Sequence, residues 1–259
     1  MFTVKSLLPA LRKELGLDLV IADGEGATGG FGIGKAHAIY LHKLGIDVIT
    51  TGECAYYKKD IVEHMAKARY MLRPCNYPWD NPGRGWLVTG PEGPKVAVIS
   101  VLGQAGFGRI HLANPLHVLP GILERVRRDT PTIVVDYHAT TTAEKATLFH
   151  FLKGQVSAVI GTHQKIQTAD ERLLDGTAVI TDAGRTGSFD SVGGFDPEIE
   201  IKRFLTQIPE PSKPVWGKLE LQGVVVEVAE DGKAVYIERL RRECTEVPHD
   251  RASDSPAGE

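Results

Sequence analysis

Two histidines close two β-branched runs. His138 ends Thr132-Ile133-Val134-Val135-Asp136-Tyr137-His138, and His163 ends Val156-Ser157-Ala158-Val159-Ile160-Gly161-Thr162-His163. Imidazole is a general base and a common metal ligand. Short, nearly continuous apolar runs read as parallel strands covered on both faces. In open α/β sheets, ligands bind outside the carboxyl ends of such strands. The pair is therefore predicted to share one site. Other predicted strand ends carry polar groups too: Glu25 after Leu17–Ala22, Glu53 and Cys54 after Ile46–Thr51, and Lys165 just past His163. Carboxylates mixed with imidazoles suit a divalent ion such as Mn, Fe or Zn. The chemistry this set points to is metal-assisted hydrolysis.

Glu25 lies in Asp23–Gly34, where six of twelve residues are glycine. No Gly-Lys-Ser/Thr ends the stretch, so it is not a Walker loop, and its GxGxxG match is weak. A carboxylate would also oppose any phosphate placed there. Glu25 reads instead as a cation ligand, set against the plainer reading of a solvated loop glutamate. Cys54 is expected near the N-terminus of a helix over Ala55–Leu72, a position that makes a thiolate more available. The plainer reading is a small buried residue.

Elements must position these groups. Helices are predicted over Met1–Leu15, Lys35–Leu44, Ala55–Leu72, Leu116–Arg128, Thr142–Phe151 and Asp196–Leu205. In the fifth, Thr141 or Thr142 is the N-cap, and Glu144 and Lys145 are expected on the exposed face. Further strands are predicted over Lys95–Leu102 and Thr177–Thr181. Leu219–Val228 and Lys233–Arg241 read as an antiparallel hairpin around Asp231-Gly232. Arg73–Gly85, rich in Pro, Asn and Gly, is long enough for a substrate-side loop. From it Asn76, and from Asp182–Ser188 Arg185, are the candidate substrate-binding residues.

With 259 residues, one α/β domain over 1–244 is expected, followed by a polar disordered tail over 245–259. A net charge of −3 argues against bulk nucleic-acid binding. No apolar stretch approaches the ~20 residues of a membrane helix. Three cysteines without CxxC spacing indicate neither a disulfide framework nor a zinc knuckle, and a reducing cytoplasm is the expected location.

Several stretches together carry a resemblance. They are Gly24-Glu25 with Gly29-Gly30, Asp47–Gly52, Arg73–Pro78, Asp136-Tyr137-His138-Ala139, Gly161-Thr162-His163, Gln167–Glu171, Ile180–Gly184 and Asp190-Ser191-Val192. From about Phe2 to Arg241 the sequence resembles the small bacterial calcineurin-like metallophosphoesterases of the YmdB type, a family of 2′,3′-cyclic-nucleotide 2′-phosphodiesterases. The resemblance implies an α/β fold of four layers, α/β/β/α, with two metal ions at one edge. It also implies hydrolysis of a phosphate ester by a metal-activated water. Glu25 then matches a bridging ligand, and Glu53, His138 and His163 match ligands of the second metal, with Glu53 replacing an asparagine. Cys54 stands where the family has its histidine general acid, and Lys165 where it has a histidine ligand of the first metal. The family's first aspartate lies on a strand ahead of Met1, so roughly fifteen further residues are expected upstream, one strand and a loop. The expectation is thus one divalent ion per chain and weak turnover of a small phosphate ester or nucleotide. The alternative is a non-catalytic member that binds a nucleotide, a phosphate or a protein. A second copy of the chain is a possible partner.

Overall fold

The computed structural model describes residues 1–90 and 93–245. Leu8 and Leu11 lie on the buried face of helix α1, Phe2–Glu14, as their helical spacing requires. In chain order there follow β1 Ile21–Asp23, α2 Lys35–Lys43, β2 Val48–Thr50, α3 Lys59–Lys67, β3 Trp86–Thr89 and β4 Val96–Leu102. Next come α4 Pro115–Val126, β5 Ile133–His138, α5 Thr142–Leu152, β6 Ala158–Thr162, β7 Arg172–Leu174 and β8 Thr177–Ile180. The remainder is β9 Gly187–Ser188, α6 Pro197–Thr206, β10 Leu219–Val228 and β11 Ala234–Cys244.

The β-branched runs form a sheet ordered β3-β4-β5-β6-β8-β7. Its four central strands are parallel, and antiparallel β3 and β7 close its two edges. One face packs against α4 and α5 through Leu119, Leu123, Leu148, Phe149 and Leu152. The other face meets two smaller β units. Val48 and Ile21 of the parallel β1-β2 pair pack on Val96, Val98 and Val134. Val226 and Ile237 of the β10-β11 hairpin pack on Ala158 and Ala178. Helices α1, α2 and α3 cover the far side of β2 through Leu8, Leu41, Ile61 and Met65. The result is four layers, helix, sheet, sheet and helix, as the resemblance implies. Each fully buried Val, Leu or Ile adds on the order of 1.5–3 kcal/mol of transfer free energy.

Three expectations need correction. The helix expected over Ala55–Leu72 is only Lys59–Lys67, because residues 52–58 form turns in which Cys54 O accepts from Tyr57 N. Cys54 therefore precedes the helix instead of sitting at its N-terminus. Lys145 is fully buried, although its polarity placed it on the exposed face of α5. Among the described residues the sheets hold three strands beyond the eight expected, the short edge pieces β3, β7 and β9. Of the tail expected from residue 245, all but Thr245 lies outside the described residues.

Candidate active site

The carboxyl ends of β1, β2, β5 and β6 converge. His138, the last residue of β5, is almost wholly buried, with its side chain 3% exposed. Its Nδ1 lies 2.9 Å from Asp23 Oδ2 and 3.0 Å from Thr162 Oγ1. Those contacts turn Nε2 outward, to 2.9 Å from Glu53 Oε2 and 3.1 Å from His163 Nδ1. His163 Nδ1 is 3.7 Å from Glu53 Oε1. Although close, Glu53 Oε2 has no hydrogen-bond partner of acceptable geometry. It thus pairs with the imidazole by charge, and the three groups aim at a common point. Metal–nitrogen bonds of ~2.0–2.1 Å in a tetrahedral site imply ligand-to-ligand edges of about 3.4 Å. The observed distances lie on both sides of that value, 3.1 Å between the imidazoles, 2.9 Å from His138 to Glu53 Oε2 and 3.7 Å from His163 to the other carboxylate oxygen, Oε1. The donor set and its size therefore fit a divalent ion.

Glu25 and Cys54 form an adjoining group with Glu53, their ligating atoms mutually within 4.8 Å. The Glu25 carboxylate accepts from Gly52 N at 2.7 Å and from Cys54 N. Glu53 thus belongs to both groups, and Glu25 is one step removed from the histidines. Gly52 is required where it stands, since a Cβ there would collide with the His138 ring. Phe107 caps the site, stacked on His138 at 6.4 Å and edge-on to His163 at 5.4 Å.

Charges crowd here. Burial, with Asp23 and Glu53 adding to it, pushes Glu25 up to about 8. Glu53 goes the other way: burial opposes its charge, yet His138 holds it down to about 2. His138 stands well above its ordinary value because Asp23 and Glu53 outweigh its burial. Burial and the neighbouring His138 lower His163. Burial, then Glu25 and Glu53, push the Cys54 thiol up to about 12. This corrects the expectation of an available thiolate: burial raises the thiol most, the two carboxylates add to it, and the helix begins only at Lys59.

Lys165 lies over the glycine loop, its ammonium and adjoining methylene facing Gly26. Its carbonyl accepts from Arg185 Nη1 at 2.7 Å, and Arg185 Nη2 donates to Ser188 O at 2.6 Å. Arg185 Nε is buried without a partner. The Asn76 amide is buried and engaged at both ends, accepting from Leu102 N at 3.1 Å and donating to Leu102 O and Ala113 O at 2.8 and 3.0 Å. It holds two loops together behind the site.

Two carboxylates were missed in the sequence. Asp23 was treated as the edge of a glycine loop, although it ends a strand, where ligands gather. Asp136 shares a face with His138 at the two-residue strand period. Its Oδ1 accepts from Thr162 Oγ1 at 2.8 Å and its Oδ2 from Thr50 Oγ1. Burial, then Asp23, pushes Asp136 up to about 7.

Stacked sheets with histidines and carboxylates gathered at their carboxyl ends define the class: a calcineurin-like phosphoesterase. A family model for YmdB-like protein matches residues 1–240, and the chain belongs to that family. It is 36% identical to the 2′,3′-cyclic-nucleotide 2′-phosphodiesterase of Bacillus subtilis strain 168, over 92% of this chain and 90% of that one. A crystal structure of a hypothetical protein from Thermus thermophilus superposes with a TM-score of 0.84 at 34% identity, over 93% of this chain and 92% of that one. That of a phosphatase from Mycoplasma pneumoniae gives 0.85 at 30%, over 93% and 87%.

Proposed function

We propose that this chain is a metal-dependent phosphoesterase acting on small phosphate esters, with cyclic nucleotides as the substrate class suggested by the Bacillus relative. The observation that carries this reading is the convergence of His138 Nε2, His163 Nδ1 and the Glu53 carboxylate on one point. These three would hold one ion of Fe, Mn or Zn, with Glu25 beside them. Such an ion supplies Lewis-acid polarisation of a phosphoryl oxygen and a nucleophile at neutral pH. Asp23 fixes the ring orientation of His138, as carboxylate partners of ligating histidines do. Lys165 places an ammonium over the glycine loop, where it offsets the charge of a bound phosphate. With its pKa at about 12, Cys54 carries its proton at neutral pH and can offer only a weak S–H donor to a leaving group. Asn76 and Arg185 shape the loops against which substrate lies. The cytoplasm is the compartment we assign, in keeping with cysteines that are few and lack CxxC spacing. Among the described residues, no helix is long and apolar enough to cross a membrane.

A second reading has its own support. Cys54 and Lys165 replace the two histidines that the family resemblance implies, which favours a member that binds phosphate or nucleotide without turnover. Elemental analysis combined with hydrolysis of an activated phosphodiester separates the two. One equivalent of metal with turnover, both lost in His138→Ala, is the expected result. Absence of turnover, with or without metal, favours the binding reading, and protein that takes up no metal contradicts the metal-dependent one.

A further inference from the structure

Lys145 occupies the position on α5 from which Leu148, Phe149 and Leu152 follow at the i+3, i+4 and i+7 spacing of a core stripe. Its side chain is 0% exposed, as is that of Asp182, which lies 3.3 Å away. Solvating neither charge is costly, and an apolar pair would fill such a site without that cost. Asp182 does more than pair with the lysine. Its Oδ2 also accepts from Gln164 N at 2.7 Å and its Oδ1 from Gly184 N at 2.9 Å. Its own N–H donates to Thr168 Oγ1 at 2.9 Å. One carboxylate thus ties together the loop after β6, the loop after β8 and helix α5.

The peptide it grips is the one that follows His163. His163 has φ +102° and Lys165 has φ +61°, two non-glycine residues on the left-handed side of φ within three positions. Such conformations persist only where surrounding contacts over-determine them. Here the contacts are Asp182 on Gln164 N and Arg185 on Lys165 O.

We propose that the buried Lys145–Asp182 pair is a positioning device for the catalytic centre, holding the loop after β6 so that His163 Nδ1 meets Glu53 and His138. Lys145 fixes the Asp182 carboxylate, Asp182 fixes the Gln164 peptide, and that peptide fixes the imidazole before it. This assignment rests on the reading of His163 as a metal ligand.

Cobalt(II) is the probe, with affinity measured by chelator competition and coordination by the visible d–d spectrum, each well below the melting temperature of the variant. Asp182→Asn should weaken Co(II) binding by ~10- to 100-fold, the usual cost of losing a group that orients a ligand. Its spectrum should shift toward that of His163→Ala. In a His163→Ala background the same substitution should change affinity no further. The double variant Lys145→Met/Asp182→Asn, which leaves no unpaired buried charge, should behave like Asp182→Asn. A lowered melting temperature with wild-type affinity and spectrum overturns the proposal. So does an equal loss in the His163→Ala background, or a double variant that cannot be recovered folded. Wild-type protein that takes up no Co(II), or His138→Ala that binds it undiminished, overturns the metal-centre reading and this proposal with it.

Discussion

At the scale of single residues, the site is a balance of like charges around His138. Glu25 at about 8 and Glu53 at about 2 differ because one is buried among carboxylates and the other faces the imidazole. For Glu25 the folded-state value lies above the unfolded value of about 4.3. Its contribution to stability is therefore complete below about pH 4 and is lost as pH climbs through 8. His138, also raised, has the same sign. Glu53 has the opposite sign, but its contribution is lost only as pH falls from about 4 toward 2. Asp136, raised to about 7, acts with Glu25 and His138, and the lowered His163 acts against them, three groups to one. The melting temperature of ion-free protein should accordingly decline from about pH 5 to about pH 8, and Glu25→Gln should flatten the decline. A melting temperature that rises over that range would contradict the assignment. Asp23 makes a second prediction at this scale. Asp23→Ala removes the carboxylate partner of His138 Nδ1, leaving only the Thr162 hydroxyl, and should weaken metal binding by ~10- to 100-fold, as isothermal titration would register, while Asp23→Asn should retain more of the affinity. The histidines were legible in the sequence because each ended an apolar run. Asp23 and Asp136 were harder to read: a strand end and the two-residue strand period pointed to them, but their role of holding another side chain shows only in the fold.

Secondary-structure elements place these residues by their ends. Strands β1, β2, β5 and β6 each stop where one of the proposed ligands or its support begins, so a small displacement of one end moves a donor atom. Gly52, just past β2, shows how tight this is. A Cβ there runs into the His138 ring, a rigid imidazole gripped by Asp23 and Thr162. Gly52→Ala should therefore abolish measurable metal binding while the far-ultraviolet circular dichroism stays that of the parent; binding at parental affinity would mean the ring can yield. The long parallel strands were readable from their β-branched runs, as was the β10-β11 hairpin from its turn residues. Strands β3 and β7 were not, because four- and three-residue edge pieces carry too little alternation to stand out from loop. The helix at Lys59 was drawn too long for a different reason. Ala55 and Lys58 are good helix formers, but the Glu25 carboxylate holds Gly52 N and Cys54 N in a turn, and tertiary contact outweighs propensity. Lys145 misled for a third reason: its charge argued for solvent, and only the fold shows the carboxylate that waits for it inside.

For the whole molecule, the centre lies where the two β layers meet. His138 belongs to the six-stranded sheet, Asp23 to β1 of the opposing layer, and Glu53 follows β2 in that same layer. An ion bound by His138, His163 and Glu53, as proposed, would therefore cross-link the layers, and in the unfolded chain those residues are dispersed over more than a hundred positions. Binding to the native state alone stabilises it by RT ln(1 + [L]/Kd), about 2.7 kcal/mol when the ion is present at 100 times its Kd. For a chain of this size each kcal/mol moves the melting temperature by about 2–4 °C. Saturating Mn(II) or Zn(II) should thus raise it by about 5–10 °C, and a chelator should reverse the rise. His138→Ala should show no rise, because losing one of three ligands raises Kd and removes the excess of ion over Kd on which the rise depends. Cys54→Ser should keep nearly all of it, since the thiol, protonated and pressed against two carboxylates, is not one of the three converging groups. A rise that survives His138→Ala would place the ion elsewhere on the molecule, and one lost in Cys54→Ser would move the centre toward Glu25 and make the sulfur a ligand.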